Sequence, residues 1–149
     1  MRKVYLTAIF ILSLSIILIG CSKEKEDTKD NFGFEKTQKI EMYSVENPES
    51  ALSIIDNKDD INDFVNRLKT HKWSVEDIPS NATESNFYKM YQQDTIKLGE
   101  NNINEKELKQ IATIITYKDS PYIKFQTKNL DFSFKVPKDV TEYLSGNEK

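Results

Sequence analysis

The residue types that most often carry catalysis are scarce in this chain of 149 residues, which has one histidine, His71, and one cysteine, Cys21. A histidine that acts as a general base needs a nucleophile and an orienting carboxylate beside it, and the sequence contains no Gly-x-Ser-x-Gly elbow. His71 stands near the predicted end of a helix, where a solvent-facing histidine is the simplest interpretation. One histidine and one cysteine also provide no recognisable zinc site. We therefore predict that the protein is not an enzyme and that it uses no cofactor.

A group of four aspartates raises the possibility of calcium binding: Asp56, Asp59, Asp60 and Asp63. A calcium loop alternates its oxygen ligands and turns at a glycine, but Lys58 stands where the second ligand is needed, and no glycine follows. An acidic helix start, which suits the helix dipole, accounts for the group, and we predict no metal site. Paired carboxylates could also hydrolyse wall glycans, so a wall-active hydrolase remains an alternative, although the sequence does not place the second acid.

Aromatic residues are the remaining candidates for recognition. Six of them gather around predicted loops and strand ends: Trp73, Phe87, Tyr88, Tyr91, Tyr117 and Tyr122. Tyrosine and tryptophan are favoured in binding surfaces because they provide a large contact area at little cost in conformational entropy. In a strand-rich domain the same residues also serve as core or edge-capping residues. Both interpretations remain open.

The first twenty-one residues have the composition of an export signal. Arg2 and Lys3 provide a short positive start, and Val4 to Ile19 contains no charged residue. A small residue, Gly20, precedes the end of this stretch, and the chain is highly charged from Ser22 onward. A positive start, an apolar middle and a small residue at the boundary are the parts of a secretory signal.

The end of this segment, Leu18-Ile19-Gly20-Cys21, resembles the lipobox of bacterial lipoproteins. The resemblance implies cleavage between Gly20 and Cys21 and a diacylglyceryl group on the Cys21 sulfur. Two acyl chains provide stable anchoring where one would not. We therefore expect a cell-membrane lipoprotein that is lipid-anchored on the extracytoplasmic face. An uncleaved transmembrane anchor is the alternative, because the apolar run approaches the length of a spanning helix.

The remaining chain divides into a tether, a body and a short tail. Residues 1–20 are the predicted signal peptide, and residues 21–37 the lipidated end with a polar, disordered tether. Phe32 and Phe34 interrupt the tether, and we expect them to pack onto the body. Residues 38–144 form one predicted domain, followed by the tail 145–149. The net charge of −3 argues against nucleic acid as a partner.

The body contains one clear helix. Ile61, Phe64, Val65 and Leu68 fall at i, i+3, i+4 and i+7 and form a single apolar stripe. Asn57 supplies a capping residue before it. We predict a helix from about Asp59 to about His71 that packs on a sheet.

Strands account for most of the rest of the body. Extended segments are predicted near 39–45, 51–55, 73–75, 86–92, 95–98, 122–127 and 130–136. Alternating apolar residues in Leu130 to Val136 are typical of a strand with one buried face. Residues 108–116 fit either a strand or a helix, and helical turns are one interpretation of Glu105 to Ile111.

Together these elements predict an α+β domain: an antiparallel sheet with the main helix on one face and a C-terminal β-meander. The body loosely resembles small lipoproteins of low-GC Gram-positive bacteria. We expect a non-enzymatic binding or accessory module that has the membrane and a protein or peptide as partners. The alternatives are an immunity-type lipoprotein that sequesters a toxin or peptide and the wall-active hydrolase.

Overall fold

The computed structural model describes residues 32–93 and 107–146, and these form one sheet with two helices on it. The strands are β1 (Lys39–Ser44), β2 (Ser53–Ile55), β3 (Ser74–Val75), β4 (Glu84–Gln93), β5 (Leu108–Tyr117), β6 (Tyr122–Thr127) and β7 (Asp131–Lys135). The helices are α1 (Lys58–Arg67) and α2 (Lys138–Leu144). Every strand pair is antiparallel, and the order is β2-β1-β4-β5-β6-β7-β3. The predicted α+β architecture is confirmed, and the predicted C-terminal meander corresponds to β5, β6 and β7.

Both helices pack on the same face of the sheet, and the core lies between them and the strands. Strand β4 shows the division, because Tyr88 and Met90 are buried while the alternating Phe87, Lys89 and Tyr91 are not. Phe64 of α1 contacts the Tyr88 ring at 5.4 Å between ring centroids. The other buried apolar residues of this core include Ile40, Ile61, Val65, Leu68, Ala112, Ile114, Ile123, Phe125, Phe134, Val140 and Leu144.

Helix α1 begins as predicted but ends earlier. The Asn57 Oδ1 atom accepts a hydrogen bond from the backbone N–H of Asp59 at 2.8 Å, which caps the helix. The predicted end near His71 is wrong, because α1 stops at Arg67. Lys69 adopts a left-handed backbone with φ of 48°, and an α-helix cannot continue through that conformation.

A 3-10 turn over Thr70–Lys72 follows the end of α1. Trp73 stabilises this turn, because its Nε1–H donates a hydrogen bond to the Leu68 carbonyl oxygen at 2.7 Å. That bond satisfies one of the carbonyl groups that the end of a helix leaves without a partner. His71 is exposed on this turn, close to the end of α1.

The ambiguous stretch at 108–116 is a strand. Ala112, Ile114 and Thr116 are buried and the residues between them are half-buried, which is a period of two. The helical interpretation is therefore wrong for Leu108 to Ile111. Glu105 and Lys106, and the extended segment predicted at 95–98, lie outside the described residues. Pairing with β4 and β6 on both sides decides this stretch in favour of a strand.

The packed body begins before residue 38. Phe34 is completely buried in the core, and Thr37 is also buried. The Phe32 ring lies 5.2 Å from the Phe125 ring and 5.6 Å from the Trp73 ring, although Phe32 remains partly exposed. Residues 32–37 therefore belong to the folded body, and their assignment to a disordered tether is wrong. The expectation that Phe32 and Phe34 pack onto the body is confirmed. The predicted signal peptide and residues 21–31 lie outside the described residues.

The predicted alternation in β7 holds for only half of the segment. Phe134 and Val136 are buried, whereas Leu130 is 56% exposed and Phe132 is 39% exposed. Leu130 lies in the turn before β7, where its carbonyl oxygen accepts a hydrogen bond from the Thr127 backbone N–H at 2.8 Å.

No helix within 32–93 and 107–146 is long and apolar enough to cross a membrane.

Candidate binding surface

The sheet face opposite the helices is uncovered within the described part of the chain. We call it the open face. Because residues directly opposite each other on paired strands point to the same side of a sheet, the register assigns its members. Its centre on β1 and β4 consists of three cross-strand pairs: Lys39 with Tyr91, Glu41 with Lys89, and Tyr43 with Phe87. At the sheet edge β2 adds Ile54, which pairs with Glu41 and is 54% exposed.

Glu41 organises the centre of the open face. Its Oε2 atom accepts hydrogen bonds from the Tyr43 hydroxyl at 2.8 Å and the Tyr91 hydroxyl at 2.7 Å. Its Oε1 atom lies 2.6 Å from the Lys39 Nζ atom, and only 13% of the Glu41 side chain is exposed. Four residues from two strands are thereby locked in one arrangement.

This arrangement perturbs the acid–base properties of the residues involved. The Lys39 ammonium, together with the two tyrosine hydroxyls, lowers the pKa of Glu41 from 4.5 to about 2, against the opposing effect of desolvation. The hydrogen bond to Glu41 raises the pKa of Tyr43. Burial, and then the bond to Glu41, raises the pKa of Tyr91. At neutral pH the open face therefore carries an ionised carboxylate bonded to two neutral phenols.

A second arrangement lies beside it on the same face. The rings of Tyr43 and Phe87 stack with centroids 5.2 Å apart and planes only 9° from parallel. The Lys89 Nζ atom lies 4.4 Å from the Tyr43 centroid and 5.4 Å from the Phe87 centroid. Contacts of an ammonium with a ring face contribute about 0.5–1 kcal/mol at exposed sites. We call Tyr43, Phe87 and Lys89 the platform.

The structure divides the six aromatic residues singled out in the sequence. Phe87 and Tyr91 lie on the open face, and strand alternation places Tyr117 and Tyr122 on the same side of the sheet. Tyr88 belongs to the core, where its hydroxyl donates to the Leu144 carbonyl oxygen and burial raises its pKa.

Trp73 also has a structural role. Its ring packs 5.3 Å from Phe134, and its Nε1–H holds the end of α1. Tyr43, which is central to the open face, was missed by the sequence interpretation. The available signal was its place two residues after Glu41 in β1, since period-two spacing puts both side chains on one face.

The aspartates near the start of α1 do not form a metal site with one another. All four aspartates near the start of α1 are exposed, and the Asp63 Oδ2 atom lies 2.8 Å from the Arg67 Nε atom. Among the residues that the structure describes, no group of three or more His, Cys, Asp or Glu side chains could hold a metal ion. Cys21 and Gly20, the predicted lipidation and cleavage residues, lie outside the described residues.

Concave regions also lie outside the open face. An apolar pocket of about 160 Å³ lies between β1, β2 and the helices, and its walls include Ile40, Met42, Phe64 and Tyr143. A larger polar cleft of about 520 Å³ borders the start of α1 and contains two carboxylates, Glu35 and Asp56, beside lysines. A third concave region, of about 510 Å³, lies beside α2 and also contains two carboxylates, Asp119 and Glu142. The hydrolase alternative would be tested at these two clefts, and it stays a prediction.

Comparison with protein-family models, with curated proteins and with solved structures finds no match to this chain. The function must therefore be inferred from the geometry of the open face.

Proposed function

We propose that this protein is a lipoprotein, anchored through Cys21 on the extracytoplasmic face of the cell membrane, that works as a non-enzymatic binding module. Its binding surface is the open face. The single observation that carries the binding role is the platform of Tyr43, Phe87 and Lys89, held beside the Glu41 hydrogen bonds on a sheet face that no described residue covers. Recognition of a protein or peptide is the function that this geometry supports best.

The platform has the properties of a binding hot spot. Aromatic side chains with few rotatable bonds lose little entropy when a partner covers them. Here the rings are stacked already, and the Tyr43 hydroxyl is fixed by Glu41. Such preorganisation reduces the cost of ordering side chains on binding, about 0.5–1.5 kcal/mol for each side chain. The same residues contribute nothing to the packing between sheet and helices, because they lie on the other face.

The anchor is supported by the sequence alone. The apolar run and Leu18-Ile19-Gly20-Cys21 resemble a lipoprotein signal, and the first described residue, Phe32, lies eleven positions after Cys21. Intact-mass spectrometry of the protein from its native host tests this part. We expect a chain that begins at Cys21 and carries the added mass of a diacylglyceryl group. A chain that keeps Met1, or an unmodified Cys21 thiol, would contradict it.

Affinity capture from native envelopes tests the binding role. The full chain is compared with a Tyr43→Ser, Phe87→Ser variant, which removes both rings of the platform. Phe132→Ser is the matched control, because Phe132 is an exposed aromatic residue on the helix side of the sheet. We expect a partner that the wild type and the control retain and the platform variant loses. Equal retention by all three proteins would remove the open face as the binding surface.

A further inference from the structure

We propose that the platform binds a carboxylate of its partner. The ligand is an acidic peptide segment in which a carboxylate side chain lies beside an apolar one. This inference rests on the proposed binding role of the open face and names the class of partner. It follows from the charges on that face and from the residues that surround the platform.

The lysines of the open face differ in their partners. Lys39 lies 2.6 Å from Glu41, Lys124 lies 3.3 Å from Asp131, and Lys135 lies 3.5 Å from Glu76, measured from Nζ to the nearest carboxylate oxygen. Lys89 makes no ion pair with any residue within 32–93 and 107–146. An ammonium held without a carboxylate is the natural site for one that a partner supplies.

The geometry explains why Lys89 has no carboxylate partner among the described residues. Its direct cross-strand neighbour is Glu41, which could have paired with it. The oxygens of Glu41 are occupied by Lys39 and by the hydroxyls of Tyr43 and Tyr91. Lys89 instead lies over the two stacked rings, which fix its position without neutralising its charge.

The surroundings of the platform favour a peptide over a sugar chain. Ile54 and Leu52, at the neighbouring sheet edge, are 54% and 58% exposed, and Ile54 lies on the open face. Aliphatic side chains complement the apolar side chains of a peptide. Sugar hydroxyls need free planar polar groups beside an aromatic ring, and the carboxylate of Glu41, which bonds the Tyr43 hydroxyl, already has three partners.

A second copy of the chain fits the platform less well. If two open faces met around a twofold axis, Lys89 of one copy would face one of two sites on the other copy. It would face either the like charge of Lys89 or the ion pair of Lys39 with Glu41. The exposed aspartates of α1 could reach Lys89 of another copy only in a head-to-tail contact, which does not close into a dimer. An acidic partner of a different sequence avoids both problems.

Peptide titration of the full chain tests the inference. The probe is acetyl-Leu-Glu-Phe-Glu-amide, and its matched probe carries glutamine in place of both glutamates. We expect the acidic peptide to shift the NMR signals of Tyr43, Phe87 and Ile54, and to bind about fivefold more tightly than the glutamine peptide. Lys89→Met removes this preference, and Lys89→Arg keeps it because arginine retains the charge and stacks on rings. The control is Lys124→Met, which changes a paired lysine on the same face and leaves the preference intact.

Several results would overturn the inference. Equal binding of both peptides, or equal effects of Lys89→Met and Lys124→Met, would show that Lys89 does not read charge. Self-association of the chain that Lys89→Met abolishes would make a second copy the occupant. Binding of polygalacturonate, but not of the acidic peptide, in a Lys89-dependent manner would make an acidic glycan the ligand.

The same variants separate this inference from the proposed function. If envelope capture requires Tyr43 and Phe87 but is unchanged by Lys89→Met, the binding role stands and the charge-reading role fails. If neither the platform variant nor Lys89→Met alters capture, both fail.

Discussion

Replacing Glu41 by glutamine removes the charge on which Lys39, Tyr43 and Tyr91 converge. The side chain keeps its size, so the change probes the charge and not the packing. The pKa of Glu41 falls from 4.5 to about 2 in the folded protein, and the whole of that fall corresponds to about 3 kcal/mol of stability. Solvent screens part of this interaction, because the Glu41 side chain keeps 13% of its surface exposed, and we expect Glu41→Gln to cost about 1–2 kcal/mol at neutral pH.

The sign of the pH dependence follows from the direction of the shift. A carboxylate whose pKa is lowered by folding stabilises the fold when it is ionised in both states. The Glu41 contribution is therefore fully present above pH 4.5, and it is lost as the pH falls toward 2. The difference in unfolding free energy between the wild type and Glu41→Gln should shrink over that interval.

Chemical denaturation at several pH values from neutral down to about 2 measures this difference, because that range reaches both pKa values of Glu41. Asp63→Asn is the matched control, because Asp63 makes an exposed ion pair with Arg67 one helical turn away. We expect the control to cost at most about 0.5 kcal/mol. A Glu41→Gln variant as stable as the wild type at pH 7, or a difference that does not change with pH, would refute the reasoning.

Three further predictions concern the packing that supports the open face. Phe34→Ala should lower the unfolding free energy by about 3–5 kcal/mol, because Phe34 is fully buried. Phe32→Ala should lower it clearly less, because Phe32 is partly exposed, and denaturant unfolding of both variants measures the two effects. Tyr88→Phe should cost about 1 kcal/mol and speed hydrogen exchange of the α2 amides, because the hydroxyl bonds the last carbonyl of that helix. Trp73→Phe should cost about 1–2 kcal/mol, because the bond to the Leu68 carbonyl oxygen is lost; thermal unfolding measures the effect, and an unchanged midpoint would contradict it.

Local patterns were enough to predict the architecture. The alternation in Leu130 to Val136 and the stripe from Ile61 to Leu68 carry the periods of a strand and a helix, and both elements form where the periods indicate them. The end of α1 could not be predicted in the same way. The stripe continues to Leu68, and the turn at Lys69 depends on a left-handed conformation that lysine does not signal.

Pairing decided what local patterns left open. Residues 108–116 fit two periods equally well, and their neighbours β4 and β6 selected the strand. The composition around Phe34 is typical of a polar, disordered segment, although the Phe34 side chain is completely buried in the core. A tertiary contact of a single aromatic residue leaves no periodic signal in such a segment.

The open face illustrates the same limit. Phe87 and Tyr91 were among the candidates, but Tyr43 and Lys89 were not, because only the register of β1 with β4 brings the four residues together. Glu41 gave no signal as the organising residue, since its role depends on two hydroxyls, one of them from the neighbouring strand. The face that a strand residue occupies follows from its sequence period, whereas its cross-strand partners follow from the fold.

Site-specific photo-cross-linking in the native host tests the central claim, that the open face meets a partner outside the cell. A benzophenone amino acid replaces Phe87 in one strain and Asn62, which is exposed on α1 on the opposite side of the sheet, in another. We expect a discrete cross-linked product from position 87, in the membrane fraction, and none from position 62. No product from position 87, or the same products from both positions, would contradict the claim.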